Sequence, residues 1–205
     1  DGKLEAKYVQ SKRENAPLAV ILHPHPEYGG TMNNKVVYHA YHTFLKNGFS
    51  VCRFNFRGVG KSEGKFDNGL GELSDAAAAL DFIQRNNSNS NESWVIGFSF
   101  GALISMQLLM RRPEIFRFIS ISPQPNIFDF NFLAPCPTSG LVVHGDQDQL
   151  VPNDTMLILK EKLVSQKNIT VDFNLIKGAN HFFTNKEQDL VESINSYIKK
   201  ESRLF

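Results

Sequence analysis

Cysteine is nearly missing from this chain: only Cys52 and Cys136 occur among 205 residues. Two cysteines cannot form a disulfide framework, and neither stands in a metal-type spacing. Reduced thiols in a cytoplasm are the expected state. No apolar run approaches the roughly 18 residues of a membrane span, so no membrane partner is expected. No signal peptide is visible; the chain opens at Asp1 rather than Met, which leaves a removed leader open. An excess of one charge is also missing. Lysine and arginine number 22, aspartate and glutamate 21, and the net charge is +1. A nucleic-acid surface normally carries a basic patch or stripe, so no nucleic-acid partner is expected. Internal repeats and long linkers are absent, and the polar stretch at residues 86–93 reads as a surface loop.

What remains is a globular composition, 41% hydrophobic and 21% charged. The length suits a single domain, 1–205, with a sizeable core. Apolar runs alternate with helical periodicities, which predicts an α/β domain with a mostly parallel central sheet flanked by helices. Strands are expected at 4–9 (an edge strand), 18–22, 49–56, 94–98, 116–121, 141–144 and 170–176. The 18–22 run is continuously apolar, as a strand buried on both faces should be. Helices are expected at 34–47, 70–85, 100–112, 154–165 and 185–199. In the first, Val36, Val37, Ala40, Tyr41, Phe44 and Leu45 share one face, and His39 and His42 fall on the opposite, solvated one. Thr184 and Glu187 suggest a capping box for the last helix. About twenty residues separate the strands near Ile121 and Leu141, which is a long loop and no lid domain.

Gly97-Phe98-Ser99-Phe100-Gly101 fits G-x-S-x-G. The pattern alone is weak, but it sits where an apolar strand meets a helical pattern, as a nucleophile elbow requires. A tight strand-to-helix turn pushes Ser99 forward in a strained conformation. Side chains two residues away would collide, and the glycines remove that collision. The Phe100 N–H, at a helix N-terminus, then points where a tetrahedral oxyanion would form.

A serine nucleophile needs a base, and the base needs an orienting acid. The order in such folds is serine, acid, histidine. His144 lies inside a strand and reads as structural. His181 follows a strand and a turn, at the carboxyl end where an α/β sheet gathers its site, and is the expected base. The acid should come from the loop after the 141–144 strand, where Asp146 and Asp148 both stand and the motif does not separate them. Asp129, in an aromatic loop, and Asp154, at a helix start, are weaker candidates.

These segments carry a resemblance. His23-Pro24-His25-Pro26-Glu27-Tyr28-Gly29-Gly30 is similar to the H-P-H-P-x-x-G-G loop of a family of α/β hydrolases, and the similarity runs over nearly the whole chain. Phe56-Arg57-Gly58-Val59-Gly60-Lys61-Ser62, the elbow, and Gly178-Ala179-Asn180-His181-Phe182-Phe183 match as well. Residues 144–152, HGDQDQLVP, resemble the H-G-D-x-D-x-x-V-P stretch of many esterases and thioesterases, in which the second aspartate is the acid. The resemblance therefore implies the triad Ser99, Asp148 and His181, in an enzyme like the esterases and dienelactone hydrolases. The Asn-rich loop before Trp94 departs from the family without touching the triad.

In this fold a second oxyanion donor comes from the loop after the 18–22 strand. The His25 N–H is the expected donor, because Pro24 and Pro26 have none. A rival reading makes His23 and His25 an H-x-H zinc site, but no further Cys or His cluster completes it, so neither metal nor other cofactor is expected. Residues 58–62 lack phosphate-loop spacing, since Asn55 stands where the opening glycine belongs, and read as a turn.

The expected reaction is two-step acyl transfer on a small-molecule acyl substrate, a carboxylic ester or thioester. Tyr28, Phe98 and Phe128 are the expected pocket residues, with Phe100, Phe130 and Phe132 as further aromatics. Short peptides are an alternative substrate. A non-catalytic binding member of the fold would usually lose a triad residue, and a dehalogenase would carry aspartate at the elbow. The apolar stretch 127–133 is either a homo-oligomer interface or folds inward.

Overall fold

In the computed structural model, residues 2–203 are described. Among them run β1 (Ala6–Val9), β2 (Leu18–Leu22), α1 (Lys35–Lys46), β3 (Ser50–Phe54), α2 (Leu70–Arg85), β4 (Ser93–Phe98), α3 (Phe100–Leu109), β5 (Ile115–Ile121), β6 (Gly140–Gly145), α4 (Asn153–Val164), β7 (Val171–Ile176) and α5 (Glu187–Glu201). The strands form one sheet in the order β1-β3-β2-β4-β5-β6-β7. All neighbours are parallel except β1, which runs antiparallel to β3 at one edge. This is a mostly parallel sheet flanked by helices.

The strand sequences explain why both faces are covered. β2, β3 and β4 are buried at every position, so alternate side chains must find apolar partners on opposite faces. Ala19, Ile21, Trp94, Ile96 and Phe98 face one cluster, with Val37, Phe44, Leu190 and Ile194 from α1 and α5. Leu18, Val20, Leu22 and Val95 face the other, with Leu80, Ile104 and Leu159 from α2, α3 and α4. Trp94 anchors the first cluster, edge-to-face with Phe44 and Phe49 at 5.7 Å.

The chain passes from β2 to β3 on one side, then returns to β4 on the other. The loops leaving β2 and β4 therefore diverge at the carboxyl ends of their strands, and a crevice opens there. The site lies in it.

Most expected elements match within a residue or two. Helix α3 stops at Leu109 rather than 112, because Pro113 disfavours helical backbone just before it. The Thr184–Glu187 capping box does not form. Lys186 is the N-cap and gives no side-chain hydrogen bond. Residues 182–185 belong instead to the turn after His181, where the Asn180 side chain accepts the Phe182 and Thr184 N–H groups at 3.1 and 3.0 Å. His39 and His42 are half-buried rather than fully solvated. The 127–133 stretch divides: Phe130 and Leu133 fold into the core, and Ile127 is exposed. Between β5 and β6 the described residues hold one short 3₁₀ turn, Asn131–Leu133, and no lid domain. No helix among the described residues is long and apolar enough to cross a membrane.

Candidate active site

Ser99 sits between β4 and α3 with φ 56° and ψ −115°. A residue other than glycine in such a conformation costs about 1–3 kcal/mol and needs its surroundings to hold it. The Ser99 N–H donates to the Ile121 carbonyl and its own carbonyl accepts from Ala102 N–H, both at 2.9 Å. The flanking glycines are obligatory. A Cβ on Gly97 would lie 2.1 Å from the Gly101 carbonyl oxygen, and one on Gly101 would lie 2.5 Å from that of Leu22.

A line of hydrogen bonds leads away from the hydroxyl. His181 Nε2 is 3.0 Å from Ser99 Oγ, and Nδ1 is 2.7 Å from Asp148 Oδ2. A carboxylate only accepts, so Nδ1 carries the proton and Nε2 is left as an acceptor. The other carboxylate oxygen, Oδ1, accepts the Leu150 and Val151 N–H groups at 2.8 and 3.0 Å. Burial opposes ionisation of Asp148, but the hydrogen bond from His181, its charge and the Leu150 N–H outweigh it. The carboxyl is held below its ordinary range. Asp146 takes a different place: its Oδ1 accepts the Gly178 N–H at 2.6 Å and joins this loop to the one bearing His181. His144 lies behind the carboxylate, Nδ1 3.7 Å from Asp148 Oδ2. It is buried, and neither ring nitrogen has a hydrogen-bond partner among the described residues.

The loop after β2 supplies main chain. His23 is buried, and burial pushes its pKa down to about 4. Its Nε2 accepts the Phe56 N–H at 3.0 Å, so Nδ1 carries the proton and donates to the Pro24 carbonyl at 2.6 Å. With both ring nitrogens taken, His23 has no lone pair for an H-x-H metal site. Among the described residues no cluster of three or more potential ligands occurs. The His25 carbonyl accepts the Tyr28 and Gly30 N–H groups at 3.2 and 2.9 Å, closing the loop on itself. The His25 N–H makes no hydrogen bond to another described residue. The Phe100 N–H, as the first in α3, has no acceptor within its helix. Residues 58–62 form a turn, with Gly58 and Gly60 in left-handed backbone.

A cavity of about 510 Å³ lies over Ser99. Tyr28 and Phe128 line it. Phe98 does not: it is 1% exposed and packs behind the His181 ring at 5.4 Å. Its position at the end of β4 turns its side chain into the α1/α5 core. Phe130 is likewise core. Among the lining residues that sequence reasoning missed are Gln124, Ile127, Leu150 and Phe182. The last three are large, apolar and exposed. Gln124 contacts the nucleophile, Oε1 lying 3.1 Å from Ser99 Oγ. Only the strand order could have revealed it, since β5 lies beside β4 and Gln124 leaves the end of β5. Another cavity, about 590 Å³ between β7 and α5, shares no lining residue with this one.

The sheet, its crevice and the strand–turn–helix around Ser99 define a serine hydrolase of the α/β-hydrolase fold. The chain belongs to the X-Pro dipeptidyl-peptidase (S15) family, whose match spans residues 2–131 and stops short of Asp148 and His181. It is 50% identical to an uncharacterized protein of Rickettsia prowazekii (strain Madrid E) over 202 residues, covering 97% of this chain and 85% of that one. A crystal structure of a protein of unknown function from Agrobacterium tumefaciens is 53% identical, with TM-score 0.93, covering 96% of this chain and 90% of that one. A serine hydrolase without a lid from Xanthomonas campestris is 32% identical, with TM-score 0.85, covering 96% of this chain and 88% of that one.

Proposed function

We propose that this protein hydrolyses small, uncharged carboxylic esters through an acyl-enzyme on Ser99, with His181 as base and Asp148 as acid. The observation that carries this reading is the unbroken line from Ser99 Oγ to His181 (3.0 Å) to Asp148 (2.7 Å) at a strained elbow. Ser99 Oγ attacks the carbonyl carbon while Nε2 takes its proton. The oxyanion accepts the N–H groups of Phe100 and His25, and Asp148 stabilises the imidazolium. The tetrahedral intermediate collapses, and Nε2 gives the proton to the leaving oxygen. Water, deprotonated by His181, then cleaves the acyl-enzyme and restores Ser99. Thioesters fit the same steps with sulfur as leaving atom. Both cysteines are free and buried, in keeping with a reducing, cytoplasmic setting.

The family match favours a second reading, short-peptide hydrolysis. A substrate losing an N-terminal dipeptide presents a free ammonium, and a buried ammonium requires a partner. Among the described residues, no carboxylate lines the cavity over Ser99. The apolar residues Ile127, Leu150 and Phe182 support an uncharged ester instead.

The test is to treat the protein with a fluorophosphonate probe and weigh it, beside Ser99→Ala. One adduct on the wild type and none on the variant is the expected result. Turnover of p-nitrophenyl esters should exceed that of an X-Pro anilide. Folded wild type that takes no adduct would overturn the reading.

A further inference from the structure

The acyl-transfer steps leave unused the one cavity amide that contacts the nucleophile, that of Gln124. Its backbone is fixed from both sides. The Gln124 carbonyl accepts the Ile127 and Phe128 N–H groups at 3.1 and 3.0 Å, and the Ser122 N–H donates to the Val143 carbonyl at 2.9 Å. The residue is 9% exposed, and its Oε1 lies 3.1 Å from Ser99 Oγ.

The Ser99 hydroxyl has one proton and two acceptors in reach, His181 Nε2 at 3.0 Å and Gln124 Oε1 at 3.1 Å. Reaction requires that the proton lie on the His181 side. Oε1 would then face an oxygen lone pair. Turning the amide over exchanges O for N without changing its shape, and lets Nε2 donate to Oγ. In either orientation at least one amide N–H is left for the cavity, because Nε2 has two and no other partner among the described residues. The wall around it carries Ile127 and Phe128.

A donor covered by a bound substrate without a partner loses its hydrogen bonds to water and weakens binding. An acyl group with an acceptor at that point recovers the loss, and an aliphatic one does not. His181 must protonate the leaving oxygen, so the leaving group lies on the His181 and Phe182 side. The acyl group then falls against Gln124 and Phe128. We infer that Gln124 is a specificity-determining residue selecting acyl groups that carry an ether, hydroxyl or keto oxygen on the first or second carbon from the scissile carbonyl. This rests on the ester-hydrolase reading above.

The test compares p-nitrophenyl methoxyacetate with p-nitrophenyl butyrate, which have acyl chains of equal length and differ by oxygen for methylene. The ratio of their kcat/KM values is measured for wild type, Gln124→Leu and Gln124→Glu. Taking each variant's ratio against the wild type's cancels the esters' intrinsic reactivities. Both variants lose the donor, and each ratio should fall about tenfold, the equivalent of about 1.4 kcal/mol. Fluorophosphonate labelling of each variant reports whether the site is assembled. Ratios within about twofold of wild type in a variant that labels would overturn the inference. So would loss of labelling in both variants, since Gln124 would then be holding the site together. Wild type that neither labels nor cleaves either ester would sink the ester-hydrolase reading itself, and this inference with it.

Discussion

The loops after β2 and β6 meet at one cavity but present different chemistry to it. From His23 to Gly30, the loop offers main chain to the proposed oxyanion site, with the His23 side chain holding the backbone and Tyr28 lining the cavity. From His144 to Val151, what reaches His181 is a side chain, the Asp148 carboxylate. Each loop has a buried histidine near its strand end. His23 uses both nitrogens to tie Pro24 to Phe56, whereas neither nitrogen of His144 has a hydrogen-bond partner among the described residues. A backbone donor is only as well placed as its peptide plane, so its loop needs prolines, a close-packed glycine and a hydrogen-bonded pin. A carboxylate needs only hydrogen-bond donors that outweigh the cost of its burial.

The largest effect should come from the side-chain loop. Asp148→Asn keeps the shape but removes the charge that orients and stabilises His181. The kcat/KM for p-nitrophenyl butyrate should fall by roughly 10³–10⁴. Asp146→Asn, at a side chain that accepts from the Gly178 N–H and makes no hydrogen bond to His181 among the described residues, should change it little. Activity within about tenfold of wild type in Asp148→Asn would reassign the acid and break the contrast between the loops.

The backbone loop should respond to a single methyl group. A Cβ on Gly30 would lie 2.1 Å from the Pro24 carbonyl oxygen and 2.5 Å from that of His25. Neither contact can persist, so Gly30→Ala must move the peptide that sets the His25 N–H. Loss of one oxyanion donor costs about 10²–10³ in kcat. The expected outcome is a drop of that order in steady-state kinetics, with helix content by circular dichroism retained. Wild-type kcat in this variant would remove His25 from the oxyanion site.

Much of this was legible in the sequence, for local reasons. Buried parallel strands are continuous apolar runs, and the elbow's glycines answer a collision confined to five residues, so both show in a short window. The choice of Asp148 over Asp146 depended on a family resemblance. In the structure it follows from Asp146 turning to Gly178, a contact between two loops. Phe98 continues the two-residue alternation of Trp94 and Ile96 into the α1/α5 core, so standing next to Ser99 in the chain does not bring it into the cavity. Gln124 was invisible because its contact with Ser99 spans 25 residues and exists only where β5 lies beside β4. The Thr184–Glu187 pattern failed because Asn180 had already turned that backbone for His181.

The smallest effect tests the pin. His23 titrates near 4 in the folded protein, against an ordinary value of 6.5. Between those values the unfolded chain binds a proton that the folded chain refuses, so stability rises with pH across that window. His23 contributes fully above about 6.5, and its contribution, about 3 kcal/mol at most, is lost as pH falls toward 4. His23→Gln offers an acceptor to Phe56 N–H and a donor to Pro24 without titrating. Urea unfolding at several pH values should therefore show a shallower fall in stability for the variant between pH 6.5 and 4. The slope should not vanish, because burial also lowers His25, His42 and His144. A slope identical to wild type would mean that protonated His23 is tolerated in place. The loop would then owe its shape to its prolines and Gly30, and the hydrogen-bonded histidine would be no firmer an anchor than the unbonded one.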